Sequence, residues 1–400
     1  MKKRILIVSH AMEIGGAERA LLGLLDNLDY SLYDVDLFLM RQEGELFSFI
    51  NPAVNLLPVI KEYTLLDAPI KSVFKEKKYA ICIGRLFGKF KASRYVKKNK
   101  FQDPYSVAIE YSHKYVKNFL PEINPLVEYD LAISFLTPHY CVTEKVFAKK
   151  RIAWIHTDYA TCDIDRDSEL KMWSPYNHII SISDSVTDSF LKKFPELSEK
   201  IIKIENALPT TLIRNQSIQV IDDDIYFKEK DCIKLLSIGR FCSPKNFDNI
   251  PAIAKQLKKM GHNIKLYIIG FGIDEELILS RIQSENVSES VIVLGKRVNP
   301  YPYILNCDLY VQPSRYEGKA VTVCEAQFLN KPVVITNYAT AASQVEHGVD
   351  GIIVSLDNKL CAQGISRVLS NSELLNMLSE NCKKRDYSNS LECNKLKECF

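Results

Sequence analysis

Two carboxylates and two cations are the residues of this chain whose types and spacing best suit chemistry. Glu317 and Glu325 lie in the run Pro313-Ser314-Arg315-Tyr316-Glu317-Gly318-Lys319-Ala320-Val321-Thr322-Val323-Cys324-Glu325-Ala326. This run follows an apolar strand and leads into a helix expected from about Ala320 to Leu329. Glu317 then sits in the loop at the helix start, with Glu325 a turn or two inside. Eight helical residues span about 12 Å at 1.5 Å each, so the pair could bridge the sugar and ribose ends of one nucleotide sugar. Ionised carboxylates make the stronger hydrogen bonds to hydroxyls, and free N–H groups at a helix start favour a phosphate. Arg240 and Lys245 project from Gly239-Arg240-Phe241-Cys242-Ser243-Pro244-Lys245-Asn246, after another apolar strand. A planar guanidinium fork and a point-charge ammonium suit a diphosphate; the plainer alternative is two exposed surface cations.

Such loops need strand ends to hold them. Ile5–Ser9, Val35–Leu39, Leu131–Phe135, Ile152–His156 and Ile179–Ile182 read as short buried strands separated by helical segments, one of them from about Ala17 to Leu28. That alternation predicts a parallel α/β sheet. The polar stretch Asn215 to Lys230 reads as a linker or insertion, and the pattern then restarts. Strands are expected at Lys234–Ile238, Lys265–Ile269, Ser290–Leu294, Leu309–Gln312 and Val333–Thr336, with helices at Ile250–Met260 and Asp274–Glu285. The expected fold class is therefore α/β, with two doubly wound Rossmann-like domains facing across a cleft, over 1–207 and 208–384, and a short polar tail over 385–400.

Length and composition agree. Four hundred residues exceed one ordinary core. A hydrophobic share of 46% and a charged share of 25% mark a globular protein. The net charge of +3 is too balanced for nucleic-acid binding over the whole surface. The 11 cysteines are scattered with no C-x-x-C pair, which disfavours zinc ribbons and redox motifs and fits a reducing compartment. No run approaches the roughly 18 apolar residues of a membrane span. A cytoplasmic protein is expected.

Other segments carry weaker signals. Lys71 to Lys100 holds eleven Lys and Arg against the single Glu76, interleaved with Tyr79, Ile81, Ile83, Leu86, Phe87 and Phe90. It reads either as a surface for anionic lipid headgroups at the inner membrane face or as a solvated insertion. Asp163-Ile164-Asp165-Arg166-Asp167 resembles a calcium loop, but Ser168 and Ser174 stand where Gly and Glu are needed, so a solvated acidic loop is expected and no metal. Gly270-Phe271-Gly272 follows a strand but lacks the third glycine of the dinucleotide fingerprint.

Taken in order, these elements resemble the retaining GT-B glycosyltransferases of family four, the "group 1" class. Its pattern is a glutamate, seven residues and a second glutamate, preceded by a Gly-Arg loop with a lysine five residues after the arginine. Glu317 and Glu325, and Arg240 and Lys245, match it. So do Tyr301-Pro302-Tyr303-Ile304, Cys307-Asp308-Leu309, Lys331-Pro332-Val333-Val334, Glu346 to Gly351 and, on the acceptor side, Gly15-Gly16-Ala17-Glu18. The similarity is strongest from Leu235 to Val354.

The resemblance implies roles. Arg240 and Lys245 would bind the donor diphosphate and stabilise the leaving group. Glu325 would hold the ribose and Glu317 the transferred sugar. The amides of Gly318, Lys319, Ala320 and Val321 would meet sugar and phosphate. His156 would reach the donor sugar, and Gly16 would admit the phosphate. Gly270 and Gly272 would let the nucleotide lie against the backbone, with Arg297 and Val298 at the base. The donor would be a nucleotide-diphosphate sugar, and the acceptor a lipid-linked or polysaccharide chain bound by residues 1–207. Lys319 stands where many members carry an apolar residue, which leaves the sugar open. A GT-B-fold nucleotide-sugar epimerase and a non-catalytic membrane-associated subunit are the rival readings.

Overall fold

The structure, a computed structural model, describes residues 2–101, 105–221, 226 and 231–400. The chain divides into two units, Met1–Ala207 with Asn389–Phe400, and Leu208–Ser388. Each is built on one parallel sheet.

In the N-terminal unit the strands are β1 (Lys3–Ser9), β2 (Tyr33–Leu39), β3 (Asn55–Leu56), β4 (Tyr129–Ser134), β5 (Ala148–Ile155), β6 (His178–Ser181) and β7 (Ile201–Lys203). Their order is β3-β2-β1-β4-β5-β6-β7. In the C-terminal unit β8 (Ile233–Ile238), β9 (Ile264–Ile269), β10 (Val291–Gly295), β11 (Leu309–Gln312), β12 (Val333–Thr336) and β13 (Ile352–Val354) run in the order β10-β9-β8-β11-β12-β13. The central strands are apolar on both faces, as helices cover each side; Ile5, Leu6, Ile7 and Val8 are all wholly buried. The edge strands β3, β7 and β13 escape sequence reading, because they are two or three residues long, β3 being exposed and β7 and β13 only partly buried. Both sheets turn their strand order once, between β1 and β4 and between β8 and β11. Loops leaving the carboxyl ends at such a point splay apart and leave a crevice.

The polar stretch read as a linker is only partly that. Its start lies in the helix Thr210–Ser217, and residues 222–225 and 227–230 fall outside the described residues. Tyr226 is buried in the C-terminal core and donates its hydroxyl to the Tyr303 carbonyl at 2.6 Å. The expected tail also divides. Residues 385–388 stay in the C-terminal unit, while Ser390–Cys399 forms a 3₁₀ helix of the N-terminal unit. Leu396 is buried there, and Phe400 stacks on Tyr33 at 5.6 Å.

The basic segment is helical, with Ile70–Lys75 followed by Tyr79–Asn99. The long helix packs on Tyr105–Val116 through small residues. A Cβ on Gly84 would lie 2.6 Å from the Tyr115 carbonyl oxygen, and one on Gly88 2.7 Å from that of Tyr111. Gly84, Gly88 and Ala92, spaced four apart, make one close-packed face. Ile83, Leu86, Phe87 and Phe90 form a second apolar stripe at i, i+3, i+4 and i+7, and they are 46–65% exposed.

Candidate active site

The best-formed polar cluster of the C-terminal unit stands where its strand order turns. β8 and β11 pair directly, Leu235 with Leu309 and Leu236 with Tyr310. The loops after them are therefore neighbours although far apart in sequence. Lys245, at the end of the turn Ser243–Lys245, donates to Glu317 Oε1 at 2.6 Å. The same oxygen accepts from Ser314 Oγ at 2.6 Å and Gln312 Nε2 at 3.3 Å. The Glu317 side chain is 9% exposed and that of Lys245 22%. Three donors thus converge on one carboxylate oxygen in a nearly dry place. Glu317 Oε2 has no partner among the described residues.

Four contacts fasten the two loops. Asn246 Nδ2 donates to the Pro313 carbonyl at 2.8 Å, and the Arg315 amide to that of Pro244 at 2.8 Å. The Arg315 guanidinium forks onto both oxygens of Asp248 at 2.9 Å and donates to the Ser243 carbonyl at 2.6 Å. Asn246 takes the left-handed conformation, φ 60°, which turns the chain directly after Lys245. Sequence reading misses Gln312, Ser314, Arg315 and Asp248. The available signal is a polar Gln312 ending an otherwise apolar strand.

Gly270 and Gly272 shape the cation loop. With φ of 157° and 154°, they pack against it so closely that a Cβ would fall 1.9 Å from the Gly239 carbonyl oxygen and 2.3 Å from that of Phe241. This close packing by itself requires glycine at both positions. Arg240 is exposed and makes no hydrogen bond or ion pair with the described residues. Among the expected donor-binding residues, Gly318 and Lys319 are half-buried in the Glu317 loop. Val321 begins the helix Val321–Phe328. The Ala320 amide, expected to be free for a phosphate, already donates to Gln344 Oε1 at 3.2 Å, and Gln344 returns a 2.6 Å bond to the Ala320 carbonyl.

Glu325 departs further from expectation. It is wholly buried, and its Oε1 accepts the Tyr301 hydroxyl at 3.0 Å. Arg297 and Val298 follow β10, two strands from β8 in the sheet. Arg297 bonds Tyr303 through Nε at 3.0 Å, and Val298 is exposed. They do not join the Lys245–Glu317 cluster.

In the N-terminal unit Gly16 opens the helix Gly16–Asn27 and is exposed, with open space where a Cβ would stand. His156 follows β5 directly. Its ring lies 4.6 Å from that of Phe135, and burial lowers its pKa to about 4, so it is neutral at pH 7. The acidic loop is not simply solvated. Asp165 caps the helix Arg166–Trp173, accepting the Ser168 amide at 3.2 Å, and takes the Tyr111 hydroxyl at 2.6 Å.

Comparison with known proteins agrees with this architecture. Residues 221–385 match the family model "Glycosyl transferases group 1". The chain is 27% identical over 210 residues to a Campylobacter jejuni N-acetylgalactosamine-N,N'-diacetylbacillosaminyl-diphospho-undecaprenol 4-alpha-N-acetylgalactosaminyltransferase, covering 52% of this chain and 54% of that one. It is 32% identical over 155 residues to the Staphylococcus aureus capsular polysaccharide biosynthesis glycosyltransferase CapM, covering 37% and 40%. The chain thus spans about half the length of the curated relatives it matches. Among solved structures, Anabaena Alr3699/HepE in complex with UDP and glucose aligns with a TM-score of 0.68 over 98% of both chains at 14% identity. Staphylococcus aureus TarM aligns with a TM-score of 0.67 at 13% identity, over 100% of this chain and 99% of that one. At such identities the likeness is one of fold, two Rossmann-like parallel sheets of the GT-B kind.

Proposed function

We propose, from the match of residues 221–385 to the glycosyl transferases group 1 model, that this chain is a retaining glycosyltransferase. It moves a hexosyl or N-acetylhexosaminyl group from a nucleotide-diphosphate sugar to a lipid-linked or saccharide acceptor, in the building of a bacterial surface polysaccharide. The observation that carries this reading is the 2.6 Å contact between Lys245 and Glu317 at the β8–β11 turn of strand order, with Arg240 on the same loop. The CapM and Campylobacter relatives support the polysaccharide and lipid-linked parts.

The reaction breaks the bond between the anomeric carbon and the diphosphate and forms one to the acceptor oxygen on the same face. The acceptor proton passes to the departing phosphate oxygen. Charge therefore grows on the diphosphate, and preorganised cations act on that charge. Arg240 and Lys245 take this task. As Lys245 turns to phosphate, Glu317 is released to accept hydroxyls of the transferred sugar. No metal is required in this scheme.

The donor is found by asking which nucleotide sugar in a panel raises the melting temperature of the purified chain. Product analysis with that donor follows, with and without acceptor. Absence of any stabilisation, or a rearranged sugar formed from donor alone, overturns the reading.

The helix Tyr79–Asn99 supports a further part of this reading, docking at an anionic membrane face. Its stripe Ile83, Leu86, Phe87 and Phe90 is left uncovered by the unit's own fold, and Lys89, Lys91, Arg94, Lys97 and Lys98 share the helix. Apolar residues rimmed by cations are the composition that anionic headgroups select. This would bring the active site to a lipid-linked acceptor on the cytoplasmic side.

A further inference from the structure

The C-terminal unit holds an open pocket of about 590 Å³. The helix Thr210–Ser217 lines it with Arg214, the end of the helix Val321–Phe328 with Phe328 and the following Asn330, and the end of the helix Ser372–Lys383 with Lys384 and Arg385. Leu305, also on the wall, and Asn330 shortly precede β11 and β12, so the pocket lies at the amino ends of those strands. Glu317 stands beyond the carboxyl end of β11. The helix Val321–Phe328 runs from one place to the other and separates them by about 12 Å at 1.5 Å per residue.

The cations of this wall are held by contacts that leave most of their donors unused. Arg214 lies over the Phe328 ring, 5.3 Å from its centre, and makes no hydrogen bond or ion pair with the described residues. Arg385 is fastened at Nη1 alone, which donates to Asp350 Oδ2 at 2.7 Å and to Glu346 Oε2 at 2.9 Å. Asp350 is buried, so this end of the guanidinium is fixed. Its Nε and Nη2 have no partner among the described residues, and neither has the exposed Lys384. Lys383 is taken by Glu380 at 2.5 Å. Among the described residues, Asp386 is the only acid on the wall, and it accepts the Ser388 amide at 2.8 Å. Cations near helix ends complement the helix dipole, which accounts for Lys383 and Lys384. It does not account for a guanidinium clamped at one nitrogen with the others bare.

We propose that this pocket binds the phosphate group of a small molecule, at a site separate from Arg240, Lys245 and Glu317. Two guanidinium forks and an ammonium bring only donors, so the group they take is an acceptor, and an anion makes the stronger bonds. A terminal phosphate presents three acceptor oxygens to these three cations, whereas a carboxylate has two. The pocket is larger than a bare ion needs and falls in the range of organic ligand sites, roughly 300–1,000 Å³. Phe328 and Leu305 give an attached organic group an apolar wall. The ligand is therefore free phosphate or, with that wall in use, a phosphate ester. The proposal stands apart from the transferase reading, since it shares no residue with the donor cluster.

Backbone amide NMR spectra of the full chain localise the binding. They are recorded as inorganic phosphate, phenyl phosphate or acetate is added at constant ionic strength, because screening weakens exposed charges. We expect saturable shifts at Arg214, Asn330 and Lys384 with both phosphates and not with acetate. The affinity read from those shifts should fall about tenfold or more in Arg214→Gln and in Lys384→Gln, by loss of a hydrogen bond between charged groups, and should be unchanged in Arg240→Ala. Equal affinity for the two phosphates identifies free phosphate as the ligand, and tighter binding of phenyl phosphate identifies an ester. Arg214 and Lys384 are exposed, so both variants should fold; should either fail, the shifts in the unsubstituted chain decide. Shifts confined to Arg240–Asn246, equal shifts with acetate, loss of binding in Arg240→Ala, or parent-like affinity in folded Arg214→Gln and Lys384→Gln each overturn the proposal.

Discussion

Lys245 Nζ and Glu317 Oε1 stand 2.6 Å apart although 72 residues separate them in sequence. The ammonium expected to hold a diphosphate and the carboxylate expected to hold a sugar thus hold each other. A donor entering here must exchange this pair for two new ones, so part of its binding energy goes into separating them.

Arg240 and Lys245 are expected to differ in a way that tests this. Either replaced by Ala should lower turnover by about 10²–10³-fold, the usual loss for a leaving-group contact. Only Lys245→Ala should also lower the melting temperature, because it strands Glu317 in a site 9% exposed. Arg240 has no partner among the described residues to strand. Wild-type turnover in either variant, or equal melting shifts, would contradict the assignment.

The glycines after β9 give a second test. Gly272→Ala places a Cβ 2.3 Å from the Phe241 carbonyl oxygen at φ 154°, so the Arg240 loop must move. Gly261→Ala meets the backbone penalty at φ 89° but touches nothing within 4 Å. Both should destabilise by about 1–2 kcal/mol or more. Only Gly272→Ala should also weaken donor affinity, measured by calorimetry. Parent-like donor affinity in Gly272→Ala would show that the loop is not part of the donor site.

The exposed stripe predicts lipid binding. The chain should sediment with phosphatidylglycerol vesicles, less so as salt rises. Leu86→Glu with Phe90→Glu should abolish this while leaving the fold intact, since both residues are at least half exposed. Equal binding to neutral vesicles, or binding unaffected by the double substitution, argues against an anionic membrane.

Acid should destabilise the N-terminal unit. Burial holds His113 and His139 down to about 3 and His156 to about 4, against 6.5 without it. Unfolding therefore takes up to three protons, and the stability these residues lend above about pH 6.5 is lost as pH falls toward their folded values. Glu169 opposes this. Raised from 4.5 to about 7 by burial, it releases a proton on unfolding and favours the fold below about pH 4.5. Glu110, also raised, acts in the same sense. Each net proton is worth about 1.4 kcal/mol per pH unit. Urea titrations followed by tryptophan fluorescence should show stability falling from pH 6.5 to 4.5, and more steeply in Glu169→Gln. A flat profile would mean that these histidines are reached by water.

The local elements of this protein are written into its sequence. Buried parallel strands must be apolar on both faces, so β1, β4, β5, β8, β9, β11 and β12 stand out as short apolar runs. The spacing of Glu317 from Glu325 and of Arg240 from Lys245 is visible in the same way, because it lies within single loops and one helix. Tertiary structure decides what depends on strand order. Only the pairing of β8 with β11 brings Lys245 to Glu317, and no local pattern encodes which strands become neighbours. Burial is likewise collective: Glu325 is covered by Tyr301, the Ala320 amide is engaged by Gln344, and Gly270 and Gly272 answer to Gly239 and Phe241. The side-chain atoms of Glu110, Trp154 and His156 that are unpaired among the described residues come from three separate segments, and folding alone sets them around one cavity.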